Sequence, residues 1–421
     1  MTVSEARRTV EAVWRIEGAR LTASLARLVG DVSLADDLAQ DALVAALEQW
    51  PTDGIPDRPG AWLMATAKHR AVDLLRRRER LERKQEQLAR ELEIEQEAAP
   101  DFEQALDVQV GDSLLRLMFV ACHPVLSREA RVALTLRLLG GLTTEEIARA
   151  YLVPEPTVAQ RIVRAKRTLG EAHVPFEVPA GPELAARLSS VLEVIYLIFN
   201  EGYAATAGEH WMRPDLCQEA LRLGRVVAGL APDESEVHGL IALMELQASR
   251  LRARTGSTGE PILLLDQDRS RWDYLLIQRG LKELEQAERL GQSLGPYALQ
   301  AAIAACHARA RTAEQTDWKR IAALYDALAE VAPSPVVQLN RAVALSMAYG
   351  PAAGLEVVET LVGEPSLSAY HLLPSVRGDL LFRLGRVDEA RAEFARAARL
   401  TKNAREREVL LERARASGDR G

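Results

Sequence analysis

Apolar residues recur every three or four positions along almost the whole chain, while alternating apolar–polar runs of strand length are hard to find. Ala, Leu, Arg and Glu dominate, all good helix formers, so the pattern predicts an all-α fold. Two stretches carry sharper information. From Asp57–Pro59 a helix is expected to run to about Arg80, with Leu63, Met64, Ala67, Ala71, Leu74 and Leu75 on one face. Trp62, His69, Asp73, Arg76 and Arg77 fall on the other, a face that suits a nucleic-acid backbone or a solvated helix side equally well. Thr143-Thr144-Glu145-Glu146 fits a capping box, opening a short helix that stops at Tyr151–Pro154. A second helix starts around Glu155-Pro156-Thr157, with Val158, Ile162, Ala165 and Leu169 as its buried stripe and Thr157, Gln160, Val163, Arg164 and Arg167 on its other side.

Two short helices joined tightly, the second one basic, form a helix-turn-helix pattern. In it the first turns of the second helix address base edges and the following Arg or Lys meet phosphates. Gln160 is the strongest base-reading candidate, because a carboxamide pairs with adenine's N6/N7 edge. An αα-hairpin unrelated to DNA carries the same local signals.

Charge alters this picture less than its total suggests. The 421 residues hold 53 Lys+Arg against 60 Asp+Glu, a net of -7, which taken alone argues against nucleic acid. The charge is segregated. Residues 68–84 hold eight bases against three acids, residues 85–112 hold nine acids and only Arg90, and a second island stands at Arg161, Arg164, Lys166 and Arg167. The acidic stretch, broken at Ala98-Ala99-Pro100, is expected to be a linker or an exposed helix. Val174 to Pro182, with Pro175, Pro179 and Pro182, marks a boundary with the remainder.

Other chemistry is scarce. Cys122, Cys217 and Cys306 lie too far apart in sequence for a disulfide framework or a CxxC pair, and are expected to be buried thiols. The seven histidines form no HExxH, and there is no GxSxG, GxxxxGK or Gly-rich dinucleotide loop, so neither catalysis, a metal nor a cofactor is expected. The greasiest run, Val191 to Phe199, is too short to span a bilayer, which predicts a cytoplasmic protein without a membrane partner.

Together the motifs resemble a known family. Asp36-Asp37-Leu38-Ala39-Gln40-Asp41, then Pro59-Gly60-Ala61-Trp62-Leu63 leading into Arg70-Ala71-Val72-Asp73-Leu74-Leu75-Arg76-Arg77, looks like region 2 of an extracytoplasmic-function sigma factor. Gly141-Leu142-Thr143-Thr144-Glu145-Glu146-Ile147-Ala148, with Val153-Pro154-Glu155-Pro156-Thr157-Val158 and Arg164-Ala165-Lys166, looks like region 4. The resemblance implies a subunit that binds core RNA polymerase, through the β′ clamp and the β flap, and promoter DNA. It places Asp37, Gln40 and Asp41 on the clamp, Trp62, His69, Arg70, Arg76 and Arg77 at the −10 element, and Thr157, Gln160, Arg161, Arg164 and Arg167 at the −35 element. The turn from Trp50 to Arg58 lies where such factors capture a flipped base.

About 250 residues follow. Gly378, Leu381, Ala390, Phe394 and Ala397 are spaced 3, 9, 4 and 3, the small-large-small framework of a tetratricopeptide repeat, and Ala342, Gly354, Val358 and Leu361 repeat it one unit earlier. A plain helical bundle is the alternative. Two stretches do not look like packing helices: Val194 to Tyr203, containing Asn200 and Glu201, and Gly259 to Asp273, containing Asp266, Asp268, Arg269 and Trp272. Both resemble segments of a sigma-factor group with a fused tetratricopeptide-like extension, which implies that the extension replaces a separate anti-sigma factor. It leaves room for an unidentified protein or ligand there, although structural staples would give the same clusters. The expected organisation is region 2 over 1–80, the acidic linker over 81–112, region 4 over 113–172, a Pro-rich linker over 173–183 and the extension over 184–421. The alternative is a DNA-binding regulator with a tetratricopeptide-like sensor that is not a polymerase subunit.

Overall fold

The computed structural model describes residues 3–89, 106–151, 153–179, 182–205, 207–208, 212–256, 260–291 and 293–418. Helices carry nearly all of it, and the chain divides into two compact units, Met1–Val194 and Ile195–Gly421. The Ala98–Pro100 breaker, most of the acidic stretch and the side chains of Arg78, Arg80, Arg83 and Lys84 lie outside the described residues.

The first unit opens with α1 (Val3–Val29), α2 (Val32–Asp53) and α3 (Pro59–Ala89). Gly30, at φ 69°, takes the left-handed conformation that ends α1, and the Asp31 carboxylate accepts from the Leu34 N–H at 2.9 Å to start α2. Ala35, Ala39, Ala42 and Ala46 make a buried small-residue seam along α2. Leu21 and Leu25 from α1, Leu63 from α3 and the indole of Trp50 fill the space around it. Helix α3 outruns its expected end at Arg80 because Leu, Glu, Arg and Gln continue with no breaker before Pro100.

Next come α4 (Leu106–Ala121), α5 (Arg128–Leu138), α6 (Thr144–Tyr151) and α7 (Glu155–Glu171). Helix α8 (Pro182–Tyr203) begins after the Pro-rich segment, and its first half belongs to this unit. Ser190 donates to the Cys122 carbonyl at 2.7 Å, and Glu193 pairs with Arg128 and with Arg131. The division between units therefore falls later than the prolines, inside α8. Val194 to Tyr203 is likewise helix rather than a polar turn, with Val194, Ile195, Ile198 and Phe199 fully buried on one side.

The second unit continues with α9 (Pro214–Leu230), α10 (Ser235–Ala248), α11 (Tyr274–Leu290), α12 (Pro296–Arg309), α13 (Trp318–Val331) and α14 (Pro335–Tyr349). It ends with α15 (Pro351–Leu361), α16 (Leu372–Arg383), α17 (Val387–Leu400) and α18 (Ala404–Gly418). Helix α12 packs mainly on α10, and from α13 onward each helix packs mainly on its neighbours in sequence, giving an array of antiparallel hairpins. Small residues set the closest approaches: a Cβ on Gly354 would lie 2.6 Å from the Ala342 carbonyl oxygen, and one on Gly378 would lie 3.0 Å from the Phe394 ring. Two short strands, β1 (Ala207–Gly208) and β2 (Lys402–Asn403), pair in parallel. The buried Asn403 amide donates to the Ala205 carbonyl at 3.2 Å, fastening the end of this unit to its beginning.

The three cysteines are buried free thiols. Burial pushes Cys122 up to about 11 and Cys217 up to about 12, and raises Cys306 as well. At pH 8 roughly one Cys122 in a thousand is thiolate, so the native thiols are expected to resist iodoacetamide. Mass spectrometry should find all three alkylated only after unfolding in urea; rapid native labelling would contradict this burial.

Candidate promoter-DNA and polymerase interface

The capping box forms in full. Thr143 Oγ1 accepts from the Glu146 N–H at 3.1 Å, and Glu146 returns a carboxylate oxygen to the Thr143 N–H at 2.8 Å. Glu155 at the start of α7 accepts from the Thr144 hydroxyl at 3.0 Å, tying the two helix beginnings together. Pro154 to Pro156 then launch α7, where a proline in the first turn costs no hydrogen bond. Val158, Ile162, Ala165 and Leu169 are buried, as their spacing predicts. Thr157, Gln160, Arg164 and Arg167 are exposed along the opposite side, and Arg161 is half-buried at its edge. Val163, 65% exposed, stands on the same side, a placement for which hydrophobicity alone gives no reason. Arg167 pairs with Glu171 at 2.6 Å, a solvated pair that strong phosphate competition can displace.

On α3, His69, Arg70, Arg76 and Arg77 are exposed. Trp62 is half-buried with its ring edge-on to Trp50, centroids 5.5 Å apart, so most of its surface serves packing. The connection ahead of α3 leaves α2 through Gly54, at φ 91°, and Trp50 itself lies in the core.

The acids of α2 differ sharply in setting. Asp37 is exposed and Asp41 faces Arg70 at 3.8 Å. Asp36 is 3% exposed and accepts from the Gln40 amide at 2.7 Å. Lys166, from α7, reaches Asp36 at 2.5 Å and Asp37 at 3.5 Å, and Arg15 of α1 meets Glu146 of the capping box at 2.8 Å. No local periodicity could have revealed these links, since Lys166 and Asp36 are 130 residues apart. Beside them runs a cleft of about 280 Å³ lined by Asp31, Ser33, Lys166, His173 and Phe176 among others.

In the second unit the two singled-out stretches meet around stacked arginines. Arg254, buried, lies 3.5 Å from the Tyr203 ring centroid and donates to the Tyr203 carbonyl. Arg250 lies 5.8 Å from both the Tyr203 and Trp272 rings, bridging the segments. Arg269 covers Trp272 at 4.9 Å and donates to the carbonyls of His307 and Ala310 at the end of α12. Burial, with Arg250 and Arg269 nearby, pushes His307 down to about 3, so its imidazole is neutral. Asp268 caps the short turn at Ser270, whose hydrogen bonds hold its carboxyl below the usual range. Glu201 is buried against Arg213, Asn200 is half-buried in α8, and Asp266 is exposed. Arg250 and Arg254, missed at the sequence level, carried a signal in the Arg250-Leu251-Arg252-Ala253-Arg254 run. Among the described residues no group of His, Cys, Asp or Glu could hold a metal ion, and no helix is long and apolar enough to cross a membrane.

Comparison with known proteins agrees with this geometry. Sigma-70 region 2 matches residues 15–81, sigma-70 region 4 matches residues 116–169, and a family of unknown function, DUF6596, matches residues 187–288. An uncharacterized protein of Rhizobium meliloti (strain 1021) is 45% identical over 385 residues, covering 91% of this chain and 90% of its own. The first unit of this chain thus carries the two regions, 2 and 4, that indicate a sigma-70 family factor. Its matched regions are those of a DNA-binding, non-catalytic factor in transcription initiation, and they imply core RNA polymerase and promoter DNA as partners.

Proposed function

We propose that this protein is an alternative sigma factor of the extracytoplasmic-function type, working in the cytoplasm, with the second unit as a tetratricopeptide-like regulatory extension. The observation that carries the reading is the pairing, in one chain, of a basic exposed α3 face with a fully capped helix-turn-helix whose exposed side holds Thr157, Gln160, Arg164 and Arg167. In this reading Asp37, Gln40 and Asp41 engage the β′ clamp, the helix-turn-helix sits on the β flap, and Arg161 joins the −35 contacts. His69, Arg70, Arg76 and Arg77 track the −10 strand, and the turn before α3 captures an unstacked base, whose contacts offset the cost of opening the duplex. Trp62 packs against Trp50 and keeps part of its surface for a base. Asn200, Glu201, Asp266, Asp268, Arg269 and Trp272 belong to the arginine-stacked region of the extension, where a partner protein or ligand would be sensed.

Run-off transcription with purified core polymerase on the gene's own upstream region tests the proposal. The full chain is expected to yield a discrete transcript, and Asp37→Arg to reduce it at least tenfold by placing a like charge before the basic partner surface. Promoter binding without polymerase, combined with no transcript, would instead indicate a regulator that is not a polymerase subunit.

A further inference from the structure

We propose that the second unit holds a binding site for a small oxyanion, the phosphate or carboxylate group of a metabolite, with Arg250 as the residue that grips it. Binding stands on the geometry alone; its consequence in transcription rests on the sigma-factor reading above.

The first observation is a cation without a counter-charge. Arg250 is half-buried, its Nε has no hydrogen-bond partner, and among the described residues no carboxylate pairs with it. Its guanidinium meets only rings, those of Tyr203 and Trp272, each 5.8 Å from centroid to Cζ. Such contacts offset only part of the hydration that a guanidinium gives up on burial.

The second observation is that its neighbours carry the same sign. Arg254 lies on the Tyr203 ring and Arg269 on the Trp272 ring, so three guanidinium groups share two aromatic side chains. Burial, with Arg250 beside them, holds both Arg254 and Arg269 below the usual arginine range. Arg269 spends its N–H groups on the carbonyls of His307 and Ala310 and on the Thr316 hydroxyl, and feels the exposed Glu314. Arg254 donates to the Tyr203 carbonyl and feels Glu406, which is itself bonded by His371 and Thr401. Neither carboxylate answers Arg250.

The third observation is a surplus of donors. Trp272 Nε1, like Arg250 Nε, is buried without an acceptor. Tyr325 of α13, in the field of Arg250, is pushed up to about 12 by burial, so its hydroxyl keeps its proton and can donate. Net positive charge with spare N–H and O–H groups selects a ligand that is negative and accepts hydrogen bonds. The two rings hold the Arg250 fork in place, and a fork so oriented can meet two oxygens of one phosphate or carboxylate at once.

Amide hydrogen exchange on the full chain tests the site, with sodium pyrophosphate or citrate as probe and chloride at equal ionic strength as control. At about ten times the half-saturating concentration, a bound probe is expected to slow exchange about tenfold in residues 250–256 and 269–275. Protection by both probes marks a general oxyanion site, by pyrophosphate alone a phosphoryl site, and by citrate alone a carboxylate site. Arg250→Gln removes the charge and should raise the half-saturating concentration about tenfold or more, Arg250→Lys by less, and Arg252→Gln, at an exposed position of the same run, not at all. Should Arg250→Gln fail to fold, the wild-type protection and the loss in Arg250→Lys decide. Slowing confined to the basic faces at residues 59–77 and 155–171 would overturn the site, and so would protection of 250–256 that Arg250→Gln leaves at the wild-type level. If run-off transcription fails while this protection stands, it is the sigma-factor reading that falls and the site that remains.

Discussion

Gln160→Ala is expected to lower transcription from the factor's own promoter by about 10- to 100-fold and to relax the choice of base at one position of the upstream element. Gln160 stands exposed in the second turn of α7, held there by Val158 and Ile162 in the core. From that position a carboxamide can make a bidentate pair with one base, and such a pair discriminates by about 1–3 kcal/mol. The effect should fall on sequence choice. Arg164→Ala, by contrast, removes a cation suited to a phosphate, so it should weaken binding to all sequences alike and reduce the salt slope by about one. Run-off transcription on a promoter library with single-base changes separates the two. A uniform loss for Gln160→Ala would show that it serves the backbone rather than a base.

Phe394→Ala should be the most damaging single change in the second unit. The ring is 2% exposed, lies against Gly378 on the neighbouring helix and is covered by the Arg413 guanidinium, 4.9 Å from its centroid. Truncation leaves a cavity between α16, α17 and α18 that the close glycine contact gives no side chain to refill, and such losses cost about 3–5 kcal/mol. Hydrogen exchange is the right measure, since two units need not unfold together. Protection in α16 and α17 should drop by roughly two to three orders of magnitude, at about 1.4 kcal/mol per tenfold. Unchanged protection would mean that neighbouring side chains close over the gap.

What could be read from the sequence was what forms locally. The capping box, the end of α6, the start of α7 and the buried stripe of α7 depend on residues within one or two turns of each other, and each lies where its spacing predicts. The framework Gly378, Leu381, Ala390, Phe394 and Ala397 is buried for the same reason, its small and large members facing across one hairpin. Hidden were interactions between distant residues. Lys166 looked like one more base in a basic island, and only the tertiary contact with Asp36 gives it another role. Asn200 and Glu201 looked like a turn because polar residues end an apolar run, yet Arg213 neutralises Glu201 and lets α8 continue. The segment from Asp266 to Trp272 does stand apart from the packing helices, and most of its charges serve as caps and ring covers.

The parallel bridge between Ala207–Gly208 and Lys402–Asn403 changes what kind of object the helical array is. An open solenoid has free ends: it can lengthen by duplicating its last unit, and it can fray from either terminus without disturbing the middle. Here the last hairpin is sewn to the first loop across 198 residues of chain, so neither end is an end in that sense. Such a long-range contact rewards the loop entropy spent on it only once the intervening helices are in place, which favours slow, all-or-none assembly over stepwise growth.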